Sequence, residues 1–433
     1  MLKIAVVSEH ASPLAAVGGV DSGGQNIYVY QIAEQLARRG HQVDVFTRCE
    51  SPSQQRIITM PGGWRVVHVP AGPARVLPKE CLLAHMPAFS AYLDSVFTEA
   101  RLGGCDYNVV HANFFMSGLA ALPVVKRLHI PFAITFHALG RVRRMHQGEA
   151  DGFPDARFDI EAEIVREADR IIAECPQDIC DLMALYNADR SRISMIPCGY
   201  DPGEMSPLNL TQARTELGWQ HSVFTILQLG RMVPRKGVDT VIDAISRLKR
   251  QHGISARLYV VGGNAVEPCE VTTPEIGRLR GIAKKLGVDE CVTFTGRRDR
   301  LQLRAYYCAA DVFVTTPWYE PFGITPLEAM ACARPVIGSD TGGIRHTVVH
   351  GETGFLVAPK DADDLAEKLA VLAASPALRR RLGEAGAVRA KSQFTWASVA
   401  SALEEAFISM IPQTSRVRAR PNADISDGLR AIA

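Results

Sequence analysis

Short apolar runs alternate with longer amphipathic stretches along nearly the whole chain. The first run, residues 4–7, is followed by a glycine-rich turn and by a stretch of helical period at about residues 25–39. Continuous apolar runs of this length are typical of strands buried on both faces, and a 3.6-residue period indicates a helix. Further strands are predicted at residues 43–46, 65–69, 108–110, 132–135, 170–173 and 193–196. Strands that alternate with helices in this way form a parallel, doubly wound α/β sheet.

The alternation stops once and then starts again. Residues 197–207 hold three prolines and two glycines, a composition typical of a linker. Beyond the linker, strands are predicted at residues 224–229, 257–261, 292–295, 312–315, 335–337 and 355–357, and helices at about 238–251, 274–286, 301–309, 326–331 and 363–373. We therefore predict two doubly wound domains, residues 1–196 and 208–393, that face each other across a cleft.

The C-terminal end of the chain differs from the two domains. A last amphipathic helix, residues 394–411, can pack back on the N-terminal domain. Residues 412–433 are Arg-rich and weakly apolar, which predicts a flexible tail.

Composition narrows the class of protein. The chain has 433 residues, a formal net charge of +2 and ten cysteines, and the small charge argues against nucleic acid as a partner. No CxxC pair occurs, and the chain opens on a strand rather than a signal peptide, so we expect reduced thiols and a cytoplasmic protein. No apolar run is long enough to span a bilayer, so we expect membrane contact to be peripheral at most. The sequence leaves open whether the protein forms a homodimer.

Two carboxylates near one strand end, Glu320 and Glu328, are the strongest candidates for chemistry. Seven residues separate them, and they follow the predicted strand at residues 312–315. In an open parallel sheet, ligands bind at this strand-to-helix edge. Glu328 also has a structural interpretation, because Thr325, Pro326 and Glu328 have the spacing of a helix capping box.

Glu320 is harder to explain by local structure. It lies outside any predicted helix and has no basic neighbour in the sequence. The helix start beside it offers free backbone N–H groups at Gly323, Ile324 and Thr325, and such a terminus attracts an anion, most often a phosphate.

A basic loop follows the first strand of the second domain. Arg231 and Lys236 both suit phosphate oxygens, Arg as a planar fork and Lys as a point charge. A solvated surface loop is the alternative for this pair. Asp361 and Asp363 resemble a metal-binding D-x-D, but their place before a helix favours capping, so we expect no metal site.

The first domain contributes two further strand-end loops. Gly23 and Gly24 precede a helix, where the backbone can approach an anion, although a plain turn is the alternative. His137 follows the strand at residues 132–135, which makes it face the cleft rather than the core. The arginines beyond it suit an anionic acceptor or a membrane surface, unless they form an exposed basic loop; they are Arg141, Arg143, Arg144 and Arg157.

These motifs, in this order, resemble the retaining glycosyltransferases with two Rossmann-like domains, the GT-B kind. The resemblance is to the large family that includes sucrose-phosphate synthase and the mycothiol-pathway enzyme that glycosylates inositol phosphate. It runs from the Gly23–Gly24 loop to Phe355 and implies a nucleotide-diphosphate sugar as donor, with no cofactor and no metal. It implies donor contacts from Gly23, Gly24, Arg231, Lys236, Arg297, Glu320, Phe322, Gly323, Ile324 and Glu328.

The resemblance also implies a role for the principal residues. Glu328 would bind the ribose hydroxyls, and Glu320 would hold the donor sugar together with the backbone of residues 322–324. Arg231 and Lys236 would neutralise the diphosphate, where preorganised cations lower the barrier. His137 would contact the transferred sugar, and with Arg231, Lys236 and Glu320 it completes the catalytic set.

The resemblance gives less detail about the acceptor than about the donor. Gln25, Asn26, Lys79 and Arg157 fall on positions that bind acceptor in the mycothiol enzyme or lie beside them. Phe114 and Ala138 depart from that enzyme, which has a Tyr and a Thr there for phosphate. We therefore expect a small polar sugar or polyol, phosphorylated or not, and do not carry over inositol phosphate.

Three hypotheses follow for function. The leading one is a retaining, metal-independent hexosyltransferase. The alternatives are a nucleotide-sugar epimerase or hydrolase of the same fold, and a protein that binds sugar nucleotides without catalysis. A dehydrogenase is disfavoured because neither domain has G-x-G-x-x-G after its first strand.

Overall fold

The computed structural model describes residues 1–15 and 23–412. Within these residues the N-terminal domain contains an eight-stranded sheet in the order β3-β4-β2-β1-β5-β6-β7-β8, parallel except for the β3–β4 pair. Its strands are β1 (Lys3–Val7), β2 (Gln42–Arg48), β3 (Ile57–Thr59), β4 (Arg65–Val69), β5 (Val109–Asn113), β6 (Phe132–Thr135), β7 (Arg170–Ala173) and β8 (Ile193–Met195). Its helices are α1 (Gly24–Arg38), α2 (Met86–Leu102), α3 (Phe115–Leu128), α4 (Gly140–Gln147), α5 (Ala156–Glu167) and α6 (Pro176–Tyr186).

The C-terminal domain repeats this architecture. In the part of the chain that the structure describes, its parallel sheet has six strands in the order β11-β10-β9-β12-β13-β14. The strands are β9 (Phe224–Leu229), β10 (Ala256–Val261), β11 (Val292–Gly296), β12 (Val312–Thr315), β13 (Val336–Ser339) and β14 (Gly354–Val357). The helices are α7 (Leu210–Leu217), α8 (Val238–His252), α9 (Pro274–Lys285), α10 (Arg300–Ala309), α11 (Ile324–Ala331), α12 (Gly342–Thr347), α13 (Ala362–Ala374) and α14 (Pro376–Gln393). The predicted fold class, two doubly wound parallel domains, is confirmed.

The strand order reverses beside β1 in one sheet and beside β9 in the other. β1 lies between β2 and β5, and β9 lies between β10 and β12. Loops that leave the carboxyl ends of strands at such a reversal diverge and leave a crevice for ligands. The loop before α1 and the loop of Arg231 and Lys236 are therefore at the two places where a doubly wound sheet binds its ligand.

Four elements differ from the sequence expectations. The sequence analysis missed β3, a short edge strand in which Ile57 is exposed and the alternation with helices is broken. It also missed the short helices α7 and α12, and α14, in which charged residues and small residues obscure the helical period.

The two segments that connect the domains are hydrogen-bonded to each other. The N–H of Tyr200 donates to Phe394 O (2.9 Å), and the N–H of Trp396 donates to Tyr200 O (3.1 Å). A Cβ on Gly199 would lie 2.7 Å from Trp396 N, so this crossing has no room for a side chain. The last helix, α15 (Trp396–Met410), then packs on α1 of the N-terminal domain.

Two observations bear on the environment of the protein. All ten cysteines are free thiols. Across residues 1–15 and 23–412, no helix combines the length and the apolar composition needed to span a bilayer. The predicted flexible tail lies, apart from residue 412, outside the described residues.

Candidate functional site

A cleft between the two domains contains most of the residues singled out from the sequence. It has an N-terminal side and a C-terminal side, which join along a shared wall made of Gly23, Gly24, Arg231, Glu320, Gly323 and Ile324. The shared wall combines the loop after β1, the loop after β9 and the loop after β12. A Cβ on Gly23 would stand 3.6 Å from Arg231 Nε, so the two domains approach closely here.

Glu320 lies within a cluster of cations. Lys236 Nζ donates to Glu320 Oε2, and Arg235 Nη1 lies 3.6 Å from the same oxygen. Gly237 permits this arrangement, because a Cβ there would stand 2.0 Å from Thr316 O and would separate the two loops. The basic partner that Glu320 lacks in the sequence is thus supplied by the neighbouring loop.

Burial and charge set the protonation of this cluster. Burial lowers the pKa of Lys236 to about 8; Glu320 opposes this shift, and Arg235 and Arg231 add to it. Burial alone would raise the pKa of Glu320, but the charges of Lys236 and Arg235 outweigh it and hold the pKa below its ordinary value. The Glu320 carboxylate is therefore ionised. When the cleft holds no anion, the Lys236 ammonium loses its proton near pH 8.

Glu328 does not cap α11, which corrects the capping-box interpretation. The helix begins at Ile324, two residues earlier than that interpretation requires, with Gly323 as its N-cap. Both carboxylate oxygens bind α10 instead: Arg300 Nη1 donates to Oε1 (2.7 Å) and the Tyr307 hydroxyl donates to Oε2 (2.7 Å). These two hydrogen bonds from α10 fix the orientation of the Glu328 carboxylate at the edge of the cleft.

Arg300 is a site residue that the sequence analysis missed. It bridges Glu328 and Glu204, and these carboxylates raise its pKa although burial acts to lower it. Its Nη2 is buried without a hydrogen-bond partner among the described residues, and the side chain lines the C-terminal side of the cleft. Its position at the start of a helix carries no signal in the sequence.

The C-terminal side of the cleft has apolar residues in its lining. Leu229, Val261 and Leu303 line it, together with Glu328 and Arg297. The N–H of Arg297 donates to Ala265 O (2.8 Å), which holds the loop after β10 against β11. Gly323 and Ile324 belong to the wall that it shares with the N-terminal side, and Phe322 lines the N-terminal side, with its ring buried against Phe394.

His137 stands at the N-terminal side with both ring nitrogens engaged. Nδ1 lies 3.0 Å from Glu174 Oε1 and Nε2 lies 3.0 Å from Asn113 Oδ1. The Asn113 amide is oriented by its Nδ2, which donates to His111 O (3.3 Å). Both nitrogens therefore face acceptors, and neither is directed at a substrate as a base.

The backbone of His137 is unusual as well. Its φ of +57° places a non-glycine residue in the left-handed region, which costs of order 1 kcal/mol or more. The side-chain bonds to Glu174 and Asn113 oppose that cost. Burial alone would raise the pKa of Glu174, but His137 outweighs it and the pKa of Glu174 is lowered. The ring thus holds the backbone at the cleft in a fixed conformation.

The predicted acceptor residues divide into two groups. Gln25, Asn26 and Lys79 line the N-terminal side of the cleft. The Asn26 amide is already used locally, since Oδ1 accepts from Gly23 N–H (2.9 Å) and Nδ2 donates to Ser12 O (2.9 Å). Gln25 Nε2 donates to Asn113 O (3.2 Å).

Arg157 does not reach the cleft surface, which corrects its prediction as an acceptor contact. The side chain has no exposed area; Nε donates to Glu161 Oε1 (2.7 Å) and Nη2 donates to the carbonyl of Ala138. It is enclosed by aromatic rings, with Phe115 4.6 Å from the guanidinium carbon. In this conformation Arg157 can affect the acceptor side only through the residues that line it, such as Ala138.

The arginines after His137 do not form an open basic patch either. Arg143 pairs with Asp151 (2.6 Å) and Arg144 with Asp155 (2.7 Å), while Arg141 donates to Leu185 O (2.6 Å). Of these three, Arg143 lines the cleft.

The sequence analysis also missed Arg235, His10 and Glu174 around the cleft. Arg235 had a signal, since it precedes Lys236 directly. His10, whose Nδ1 lies 2.6 Å from Oε1 of its neighbour Glu9, lines the N-terminal side, as does Glu174. Glu174 contacts His137, which is 37 positions away in the chain, so local spacing does not reveal it.

A metal centre has no evident ligands in the described part of the chain. Within residues 1–15 and 23–412, no three His, Cys, Asp or Glu side chains are grouped so that they could hold an ion. The carboxylates of the D-x-D pair are engaged, since Asp361 Oδ1 accepts from Asp364 N–H (2.9 Å) and Asp363 binds Arg247.

Comparison with known proteins covers nearly the whole chain. The family "Glycosyltransferase Family 4" matches residues 22–204, and the family "Glycosyl transferases group 1" matches residues 211–389. The D-inositol 3-phosphate glycosyltransferase of Actinosynnema mirum is 34% identical over 410 residues, which cover 94% of this chain and 97% of that protein.

Two solved structures extend the comparison. Sucrose-phosphate synthase from Thermosynechococcus elongatus superposes with a TM-score of 0.86 at 32% identity, covering 95% of this chain and 99% of that chain. Anabaena HepE, solved in complex with UDP and glucose, shares the fold with a TM-score of 0.74 at 18% identity, covering 94% and 100%.

Proposed function

We propose a reaction for this chain, which belongs to the GT-B glycosyltransferase family of these relatives. In that reaction it transfers a hexose from a nucleotide-diphosphate sugar to a small polar acceptor. Transfer would retain the anomeric configuration and need no metal. The observation that carries the proposal is the cluster of Arg231, Arg235 and Lys236 around Glu320, opposite the Gly23–Gly24 backbone. Such a cluster suits a diphosphate whose charge grows as the glycosidic bond breaks.

The donor would lie along the C-terminal side of the cleft. Its ribose hydroxyls would meet Glu328, whose orientation is set by Arg300 and Tyr307. Its base would lie between the apolar walls towards Arg297, and its diphosphate would lie beside Arg231 and Lys236. The sugar would then reach Glu320, at the junction with the acceptor side.

The residues around the sugar favour attack from the face of the leaving group. The acceptor hydroxyl oxygen forms the bond to the anomeric carbon while the carbon–phosphate oxygen bond breaks, and that electron pair goes to the diphosphate. The hydroxyl proton passes to a leaving phosphate oxygen, since neither nitrogen of His137 is directed at substrate and Glu320 is paired with Lys236. Lys236 and the arginines stabilise the charge on the leaving group.

Two basic side chains lie on the acceptor side. Lys79 and Arg143 line it, and Arg143 is paired with Asp151. These side chains suit an acceptor that bears a phosphate, so we propose a phosphorylated sugar or polyol as the first class to assay.

A donor survey tests the proposal. Nucleotide-diphosphate sugars that differ in base and sugar are first compared for the rise in melting temperature, since a ligand that binds only the folded state stabilises it in proportion to ln(1 + [L]/Kd). The best donor is then incubated with phosphorylated and unphosphorylated acceptors, and the anomeric configuration of the product is read by NMR. Nucleotide diphosphate released equally with and without acceptor would indicate a hydrolase instead.

Binding of the nucleotide diphosphate should depend on pH through Lys236. Its pKa of about 8 in the empty cleft should rise when a diphosphate binds, because the anion favours the protonated amine. Affinity should therefore be constant below pH 8 and fall by up to about tenfold per unit above it, with proton uptake on binding. Calorimetry from pH 6.5 to 9.5 in two buffers of different ionisation enthalpy measures both quantities.

A Lys236→Arg variant is the control for this pH dependence. Arg stays protonated over the whole range, so the decline above pH 8 should disappear. An unchanged decline in this variant would assign the titration to another group.

A further inference from the structure

Glu320 stands between two residues that contact the opposite domain. On one side, the hydroxyl of Tyr319 accepts from Gln147 Nε2 (2.6 Å), and its ring stacks on His146 at 4.8 Å with 15° between the planes. On the other side, Pro321 O accepts from the Cys175 thiol (3.4 Å). His146, Gln147 and Cys175 belong to the N-terminal domain, and Glu320 belongs to the C-terminal one.

Tyr319 is also tied to the cation cluster of its own domain. Arg235 lies over the Tyr319 ring, 5.3 Å from its centroid, and its Nη1 donates to Tyr319 O (3.4 Å). The N–H of Trp318 donates to Arg235 O (2.9 Å), so the two loops run side by side. The Tyr319 ring is therefore held between His146 of one domain and Arg235 of the other, with 6% of its surface exposed.

This arrangement links the approach of the domains to the position of Glu320. If the domains separate, Tyr319 loses its stacking partner and its hydroxyl partner, and the loop of Glu320 and Arg235 is held from the C-terminal side alone. A side chain that is fixed only in the closed form orders its neighbours only in that form. A group that must be placed within a fraction of an ångström gains from such ordering.

We infer that Tyr319 is a positioning residue that sets Glu320 and Arg235 for reaction only when the two domains are closed. The inference rests on the proposed glycosyl transfer. Gln147 and His146 are its counterparts on α4. Binding of the nucleotide diphosphate to the C-terminal domain does not require these contacts, whereas sugar transfer does.

Three variants test the inference: Tyr319→Phe, Gln147→Leu and the two combined. Each single variant removes the same hydrogen bond from one side, so each should lower kcat about fivefold, and the double variant should be no slower than either. The Kd for the nucleotide diphosphate should change by less than about twofold in all three. Glu149→Gln, an exposed change in the segment that follows Gln147, is the matched control and should leave kcat unaltered.

The possible results separate clearly. An undiminished kcat in Gln147→Leu, or losses that multiply in the double variant, would overturn the inference. A loss of diphosphate affinity in Tyr319→Phe that Gln147→Leu does not share would also overturn it, since that pattern indicates a local role in the C-terminal domain.

A second measurement is independent of catalysis. The radius of gyration in solution, measured by X-ray scattering with saturating nucleotide diphosphate, should be larger for Gln147→Leu than for the wild-type protein. Equal values would contradict the inference. If the wild-type protein transfers no sugar from any donor, the proposed function fails, and the scattering comparison still decides whether the contact holds the domains together.

Discussion

Replacement of Lys236 by Met should lower kcat/KM for sugar transfer by about a thousandfold while the protein stays folded. Removing one preorganised group that stabilises charge in a transition state costs about 10²–10³ in rate, and Lys236 also contributes to diphosphate binding in the ground state. Met keeps most of the length of the side chain and removes its charge. Steady-state kinetics and a thermal unfolding curve measure the two effects separately.

The matched control is Lys249→Met on α8. Lys249 is exposed in the last turn of α8, at the end of that helix far from Lys236. Its replacement therefore removes the same charge without changing the cation cluster. Transfer within threefold of the wild-type rate in Lys236→Met would refute the diphosphate role of this lysine.

Replacement of Glu320 by Gln should separate transfer from diphosphate binding. We expect transfer to fall by about 10²–10³, because the carboxylate is proposed to hold the sugar hydroxyls at the reacting centre. Affinity for the nucleotide diphosphate alone should stay the same or rise by a few fold, since a negative charge beside Lys236 and Arg235 is removed. The binding experiment belongs at pH 6.5, because loss of the carboxylate lowers the pKa of Lys236 and a low pH favours its protonated form.

Glu328→Gln provides the contrast on the same ligand. That change weakens the proposed hold on the ribose and frees Arg300, so it should lower affinity for the nucleotide diphosphate. Only Glu328→Gln should therefore weaken diphosphate binding, and Glu320→Gln should not. A parallel loss of affinity in both variants would show that Glu320 acts on the diphosphate or on the fold, and the sugar-holding role would have to be abandoned.

The two carboxylates show where sequence reasoning succeeds and where it stops. The position of Glu320 after β12 follows from an apolar run and a change of period, both of which are local. Its partner Lys236 is 84 positions away in the chain and reaches it because β9 and β12 are neighbours in the sheet. Glu328 was assigned a ligand-binding interpretation and, from its spacing, a capping one; the structure rejects the capping one because the N-cap of α11 is Gly323 rather than Thr325.

Arg157 and Tyr319 illustrate the same limit. The family resemblance implied that Arg157 is an acceptor contact, yet it lies in a buried ion pair with Glu161 on its own helix. Tyr319 carried no signal beyond an aromatic residue beside Glu320, because its partners Gln147 and His146 are in the other domain. The roles assigned to the individual cleft residues stay predictions until the variants are measured.

The pattern of apolar runs alone established two doubly wound domains, the order of their strands along the chain and the loops at their strand ends. These features depend on neighbours within a few residues, because strand and helix periods are properties of a local segment. The tertiary structure decided which loops meet, which charges pair and which side chains are enclosed. Those contacts depend on strand order and on the approach of two domains, and no local period records either of them.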